Sequence, residues 1–266
     1  MTRQDTAHEA DGIHVEHDNA LAIVTIANPA KRNALDPDLL GRLADALADL
    51  EGGHTRCVVL RGAGTKLFSS GYDIGAIRGG SGDEASRHPL SKAIDAIEHF
   101  PYPVVGLIFG GAYGAACEVV SACDLRFAAD DARFAIPAAK LSVVYDAAGV
   151  ARLAERASAT FVAELLYTAR PMPAARAKEL GFLNGVHAHD DLEEQVMTLA
   201  REIAGLAPRT LMATKEMLHA LRQGRGFSDV EVKHFTRLRN DALASDDFAE
   251  GRRAFNEKRP PRFDHR

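Results

Sequence analysis

The chain has 266 residues, 46% of them hydrophobic and 26% charged, which is enough to bury a substantial core and excludes disorder as its general state. Its formal net charge is −5, so the broad basic surface that phosphate neutralisation demands is missing and a nucleic-acid coat protein is excluded. Cys57, Cys117 and Cys123 form no CxxC pair, which argues against a disulfide framework or a zinc site and makes a reducing cytoplasm the expected compartment.

Residues 1–12, MTRQDTAHEADG, are polar and lack an apolar signal core, so an unstructured lead-in is expected. Ile13 to Asp18 and Leu21 to Ile26 read as strands joined at Asp18-Asn19-Ala20. Asp36 can cap and Pro37 can open a helix whose Leu39, Leu40, Leu43, Leu47 and Leu50 recur at helical spacing. Arg56 to Leu60 is the next strand, and the glycine- and serine-rich stretch Gly62 to Gly82 reads as a long loop. A helix over Ser91 to Phe100 and a strand over Pro103 to Phe109 follow, then a helix from about Ala115 to Ala122 and a strand over Leu125 to Ala129.

Pro103 to Cys123 is apolar over roughly the ~20 residues that a membrane helix needs. Its four glycines, the turn chemistry of Gly110-Gly111-Ala112-Tyr113-Gly114 and the carboxylate of Glu118 predict strand, loop and helix instead, and no membrane partner. Beyond Ala147 the pattern is mainly helical, over Ala159 to Ala169, Pro173 to Leu180, Leu192 to Leu206, Arg209 to Gln223 and Asp229 to Ala244, interrupted by a strand-like run from Leu183 to His187. The alternation predicts an α/β class, with a sheet-bearing core over 13–200 and a helical region over 201–266.

Two loops carry the chemical signal, Phe68-Ser69-Ser70-Gly71-Tyr72-Asp73-Ile74 and Phe109-Gly110-Gly111-Ala112-Tyr113-Gly114-Ala115-Ala116-Cys117-Glu118. Both are small-residue turns that let backbone approach a ligand closely, and the second opens a helix whose N–H groups and dipole favour an oxyanion. Together with Asn28-Pro-Ala-Lys-Arg-Asn-Ala-Leu35, Cys123-Asp124 and Ala254-Phe-Asn-Glu-Lys-Arg259, in that order and spacing, they make the chain resemble the crotonase (enoyl-CoA hydratase/isomerase) superfamily over about residues 13 to 264. The resemblance implies a spiral of ββα units followed by helices that build a homotrimer or homohexamer. It also implies an acyl-CoA thioester substrate, with no cofactor beyond the coenzyme A carried by that substrate.

The chemistry implied is an enolate held by two backbone donors, here Tyr72 N–H and Ala115 N–H, placed where charge develops. Ala115 departs from the glycine common in the family, yet alanine keeps the N–H. Hydratases of the family use two glutamates; Glu118 matches the first, but Ile136-Pro137-Ala138 places alanine where the second would stand, and alanine cannot shuttle protons. The chain instead has Tyr145 where the methylmalonyl-CoA decarboxylase branch carries its catalytic tyrosine, with a further echo of that branch in His88-Pro-Leu90. A tyrosine hydroxyl can fix the carboxylate of a malonyl-type thioester perpendicular to the thioester plane, with Val143 and Val144 expected to exclude water around it.

By the same resemblance Lys31, Arg32 and Ala34 lie along the CoA arm, Ser70, Gly71, Asp73 and Ile74 follow pantetheine and adenine, and Gly114, Pro137 and Phe255 line the substrate. Lys258 reaches a CoA phosphate from a cluster that also holds Arg252, Arg253, Arg259 and Arg262. The expected reaction is decarboxylation of methylmalonyl-CoA to propionyl-CoA. The alternatives are an enoyl-CoA hydratase using Glu118 alone, or a catalytically inactive acyl-CoA-binding homologue. Neither a dinucleotide fingerprint nor a serine-hydrolase elbow is present, and His187 and His189 read as surface residues rather than metal ligands.

Overall fold

A computed structural model describes residues 11–73, 89–222 and 226–263 of the chain. Ile74 and His88, singled out above, lie outside the described residues.

The chain opens with an antiparallel hairpin of β1 (Gly12–Asp18) and β2 (Leu21–Ala27). Asn19 takes φ 56° in its two-residue turn, a conformation asparagine tolerates better than most residues. Helix α1 (Pro37–Glu51) starts where its cap predicts: Asp36 accepts the Leu39 N–H at 2.8 Å, and all five leucines of the periodic stripe are buried. Strand β3 (Cys57–Gly62), helix α2 (Pro89–His99), strand β4 (Val104–Ile108), helix α3 (Ala115–Ala122) and strand β6 (Leu125–Ala129) continue the alternation.

Two short strands, β5 (Gly111–Tyr113) and β7 (Arg133–Ala135), stand where the sequence predicts a turn and no element. With β8 (Met172–Pro173) they form a small second sheet ordered β5-β7-β8. Three-residue strands have no periodicity to read; they exist because neighbouring backbones meet. Helix α4 (Ala147–Arg156), not delimited in the sequence reading, is followed by α5 (Ala159–Thr168), α6 (Ala174–Glu179), β9 (Gly185–His187) and α7 (Leu192–Ala204). The chain then folds into α8 (Pro208–Arg222), α9 (Asp229–Leu243) and α10 (Asp246–Glu257), the last again not anticipated although Ser245 caps it at the Phe248 N–H.

The main sheet has six strands ordered β1-β2-β3-β4-β6-β9, parallel throughout except for the β1–β2 edge. Alternation sends Ala22, Val24, Val58 and Leu60 to one face with α1, α2 and α3, while Leu21, Cys57, Val59 and Leu107 meet Leu192, Val196 and Ala200 of α7 on the other. The parallel strands are therefore buried on both sides, and their carboxyl ends deliver the two informative loops to one end of the sheet. No helix among the described residues is long and apolar enough to cross a membrane.

Candidate active site

The first loop is built by the asparagines of the Asn28–Leu35 segment. Asn28 donates from its side chain to the Ala34 carbonyl at 3.1 Å and from its backbone to Asn33 Oδ1 at 3.1 Å. Asn33 in turn donates to the carbonyls of Ala63 and Leu67, tying the segment to the loop after β3. Leu35 N–H then donates to Gly71 O at 2.8 Å and Asp73 N–H to Leu35 O at 2.9 Å. In this parallel bridge the groups of Gly71 and Asp73 face Leu35, so the Tyr72 N–H is turned to the opposite side, toward β5 and α3.

Gly71 makes that approach possible. Its φ is 95°, and a Cβ there would lie 2.3 Å from the Tyr113 carbonyl oxygen and 3.5 Å from the Ala115 nitrogen. The Tyr72 peptide thus sits beside the first turn of α3, where Ala115 N–H, as the first residue of the helix, has no intrahelical acceptor. Gly114 precedes it at φ 55° and donates its own N–H to Ala135 O at 2.8 Å. Backbone bonds, underpinned by the Asn28 and Asn33 side chains, set the Tyr72 peptide beside the start of α3.

Every residue of α3 is buried, including Glu118 in its first turn. The Tyr145 hydroxyl donates to Glu118 Oε1 at 2.5 Å, and Arg152 Nη1 donates to Oε2 at 2.9 Å. Arg152 Nε also lies 3.8 Å from Glu98 Oε1, which accepts Arg156 Nη2 at 3.0 Å, so α2, α3 and α4 share an alternating chain of two carboxylates and two guanidinium groups. Gly149 admits this packing: a Cβ on α4 there would come within 2.7 Å of Glu118 Oε2 and 2.9 Å of Tyr145 Cε1. Burial, and next the negative charge of Glu118, drives the Tyr145 phenol far above its ordinary pKa. The hydroxyl therefore stays protonated and acts as a hydrogen-bond donor, not as a base.

Pro137 and Ala138 belong to a 3-10 turn, Pro137–Leu141, that leads toward Tyr145. Ala138 packs half-buried against the core and brings no carboxylate to the site. The expected shielding by Val143 and Val144 is a misreading. Their side chains are 52% and 96% exposed, because Ser142 in the left-handed region turns the chain outward; what buries Tyr145 is the apolar face of α3 and α4.

Along the first loop, Lys31 Nζ pairs with Asp73 Oδ2 at 2.8 Å, which raises the Lys31 pKa through that hydrogen bond. Ser70 donates from its side chain to Lys31 O and from its backbone to Arg32 O, so Lys31, Arg32, Ala34, Ser70, Gly71 and Asp73 form one contiguous rim. Phe255 and Lys258 sit elsewhere. Phe255, on α10, is 84% exposed at a groove of about 620 Å³ with Met217, Leu243 and Phe248, and Lys258 caps α10. Of the C-terminal basic cluster, Arg259 is held by Glu250 and Glu257 and Arg253 by Glu250.

Arg152, Glu98 and Gly149 were not visible as site residues in the sequence. The available signal was Arg152 and Arg156 one helical turn apart on an otherwise apolar stripe, a pattern that predicts a solvated face as readily as a buried one.

A family model described as enoyl-CoA hydratase/isomerase matches residues 16–266. The methylmalonyl-CoA decarboxylase of Escherichia coli (strain K12) is 33% identical over 247 residues, covering 92% of this chain and 95% of that protein. A probable enoyl-CoA hydratase of Bacillus subtilis (strain 168) is 31% identical over 261 residues, 95% of this chain and 98% of the relative. Among solved structures, an enoyl-CoA hydratase/carnithine racemase from Magnetospirillum magneticum superposes with a TM-score of 0.89 at 30% identity over 96% of each chain.

Proposed function

The chain belongs to the enoyl-CoA hydratase/isomerase family, the crotonase superfamily, and from that premise we propose that it decarboxylates a malonyl-type CoA thioester, converting methylmalonyl-CoA to propionyl-CoA. The observation that carries this reading is the Tyr145 hydroxyl at 2.5 Å from Glu118 in a site where Ala138 supplies no second carboxylate. Water addition needs one group to take a proton and another to give one. Decarboxylation needs the leaving carboxylate to be oriented and the resulting charge to be held.

In the proposed reaction the bond between Cα and the carboxylate carbon breaks, its electron pair passes into the thioester as an enolate, and carbon dioxide leaves. Tyr72 N–H and Ala115 N–H hold the enolate oxygen, Tyr145 donates to the departing carboxylate, and Cα then takes a proton delivered from water. Lys31, Arg32, Ala34, Ser70, Gly71, Asp73 and Gly114 receive the CoA arm. Pro137 lines the acyl end, while Phe255 and Lys258, on and just past α10, lie apart from this rim and are given no contact with the same CoA. The exposed Met212, Leu218 and Leu221 of α8 suit an assembly of three or six copies. Light scattering tests that assembly, and a monomer at micromolar concentration would refute it.

A panel of CoA thioesters scored separately for carbon dioxide release and for hydration tests the reaction. Release from methylmalonyl-CoA or ethylmalonyl-CoA with slow crotonyl-CoA hydration is the expected result. Rapid hydration without release of carbon dioxide would instead favour a hydratase in which Glu118 alone manages the proton transfers, with the Tyr145 hydroxyl orienting its carboxylate.

A further inference from the structure

We infer that Arg152 is a positioning residue of the active site: it keeps Glu118 paired and ionised, which frees the single hydrogen of Tyr145 to turn from Glu118 to the substrate. The inference rests on the reading that Tyr145 and Glu118 face the reacting carbon. A phenol has one hydrogen to donate, and that of Tyr145 is given to Glu118 Oε1. To hold a substrate carboxylate it must leave Glu118. A carboxylate 6% exposed would then lose one of its donors beside an arriving anion, an expensive arrangement unless a fixed cation matches its charge.

Arg152 is built to be that cation. Its guanidinium donates to Glu118 Oε2 at 2.9 Å, on the carboxylate oxygen opposite the one Tyr145 uses, so the two donors do not compete. Glu98 on α2 steadies it from behind at 3.8 Å and is itself held by Arg156 at 3.0 Å. Gly149, one turn before Arg152 on α4, lets the helix backbone come close enough for this geometry. Among the described residues, the titratable and charged groups on the elements packed at Glu118 include Tyr145 from the loop before α4, Arg152 and Arg156 from α4, Glu98 from α2 and Cys117 from its own helix. Strand β5, the third element against α3, carries Tyr113. Arg152 is the cation of this set that touches the Glu118 carboxylate.

The test compares Arg152→Gln with Arg152→Lys, reading the pH profile of carbon dioxide release and the infrared stretch of a protonated carboxyl group. Arg152→Gln should lower kcat by about 10²-fold, as displacement of a reacting geometry does elsewhere, and move the acid limb to higher pH. It should also show a protonated-carboxyl band near neutral pH that vanishes in the Arg152→Gln/Glu118→Gln double variant. Arg152→Lys should recover roughly tenfold of that kcat by restoring the charge and should lack the band. A folded Arg152→Gln with an unmoved acid limb and no such band would overturn the inference. If Arg152→Gln does not fold, comparison of the unaltered protein with Glu118→Gln decides the matter: a Glu118 acid band near neutral pH overturns the inference, and its absence supports it. The infrared arm needs no turnover, so a protein that decarboxylates no malonyl-type thioester would refute the proposed reaction while Arg152 is still judged on the band.

Discussion

The two ends of α3 each carry buried charge, and they are finished differently. Just past its C-terminal end, Lys215 is closed on all sides: its ammonium meets Asp124 at 2.8 Å, Tyr102 O at 2.9 Å and Ile97 O at 3.2 Å, one acceptor for each hydrogen. Asp124 also accepts the Val104 N–H at 2.9 Å, which fixes the start of β4. At the N-terminal end Glu118 accepts from a phenol and a guanidinium, and the phenol has a single hydrogen that can be given to Glu118 or to a ligand. A fully satisfied set has nothing left to exchange with a ligand and serves the fold. A set whose donor can be redirected toward an adjacent helix terminus serves chemistry.

Removing one charge should separate the two ends most sharply. Lys215→Met leaves the half-buried Asp124 with Arg222 at 3.8 Å in place of its ammonium and should cost about 1–3 kcal/mol in a urea unfolding titration, while turnover per folded molecule stays near that of the unaltered protein. An equal loss of turnover would erase the distinction. At the other end, Ala115→Pro deletes one of the two backbone donors and should lower kcat by about 10²–10³-fold, whereas Tyr72→Phe, which keeps its N–H, should change it little. Tyr145→Phe should slow carbon dioxide release by about 10²-fold while affinity for propionyl-CoA, measured by calorimetry, is kept. Equal losses of release and of propionyl-CoA affinity would show that the hydroxyl is structural.

Gly149→Ala sharpens the comparison in smaller steps. The added methyl must push Glu118 or Tyr145 aside, which should lower stability by about 1–3 kcal/mol against a helix-propensity gain of about 1, and turnover should fall although no polar group is lost. The smallest effect concerns pH. The unfolded phenol of Tyr145 ionises near its ordinary value of about 10, whereas in the folded chain it stays protonated well above that through burial and the charge of Glu118. The folded state therefore binds the extra proton, so this group's contribution to stability is intact below about pH 10 and falls as pH rises beyond it. Alkaline unfolding of Tyr145→Phe should lack that part of the decline.

Much of this was legible in the chain before the structure. Asp36, Pro37 and five spaced leucines announce α1 because cap, first-turn proline and period agree, and the glycine turn before Ala115 announces α3 in the same way. Strands β5 and β7 were not legible, since three residues carry no alternation and depend on a third segment for their bonds. Glu118 and Tyr145 could be named from the positions they share with a known pattern, and they lie in contact. Arg152 and Glu98 could not be named, because a buried ion pair between separate helices leaves no local trace. Val143 and Val144 were misjudged for the related reason that an apolar side chain does not reveal which way a left-handed residue such as Ser142 turns its neighbours.

The close backbone approach at Gly71 divides the molecule into what mutation can change and what it cannot. A methyl at Gly71 would strike the Tyr113 carbonyl, and one at Gly111 would come within 1.8 Å of the Arg133 carbonyl. Almost any substitution at these two positions should therefore be purged in a saturation mutagenesis screen. The segment from Ala139 to Val144, exposed and outside the sheets, bears no such constraint. Laboratory evolution toward a new acyl substrate should consequently collect its adaptive changes there and spare the glycines.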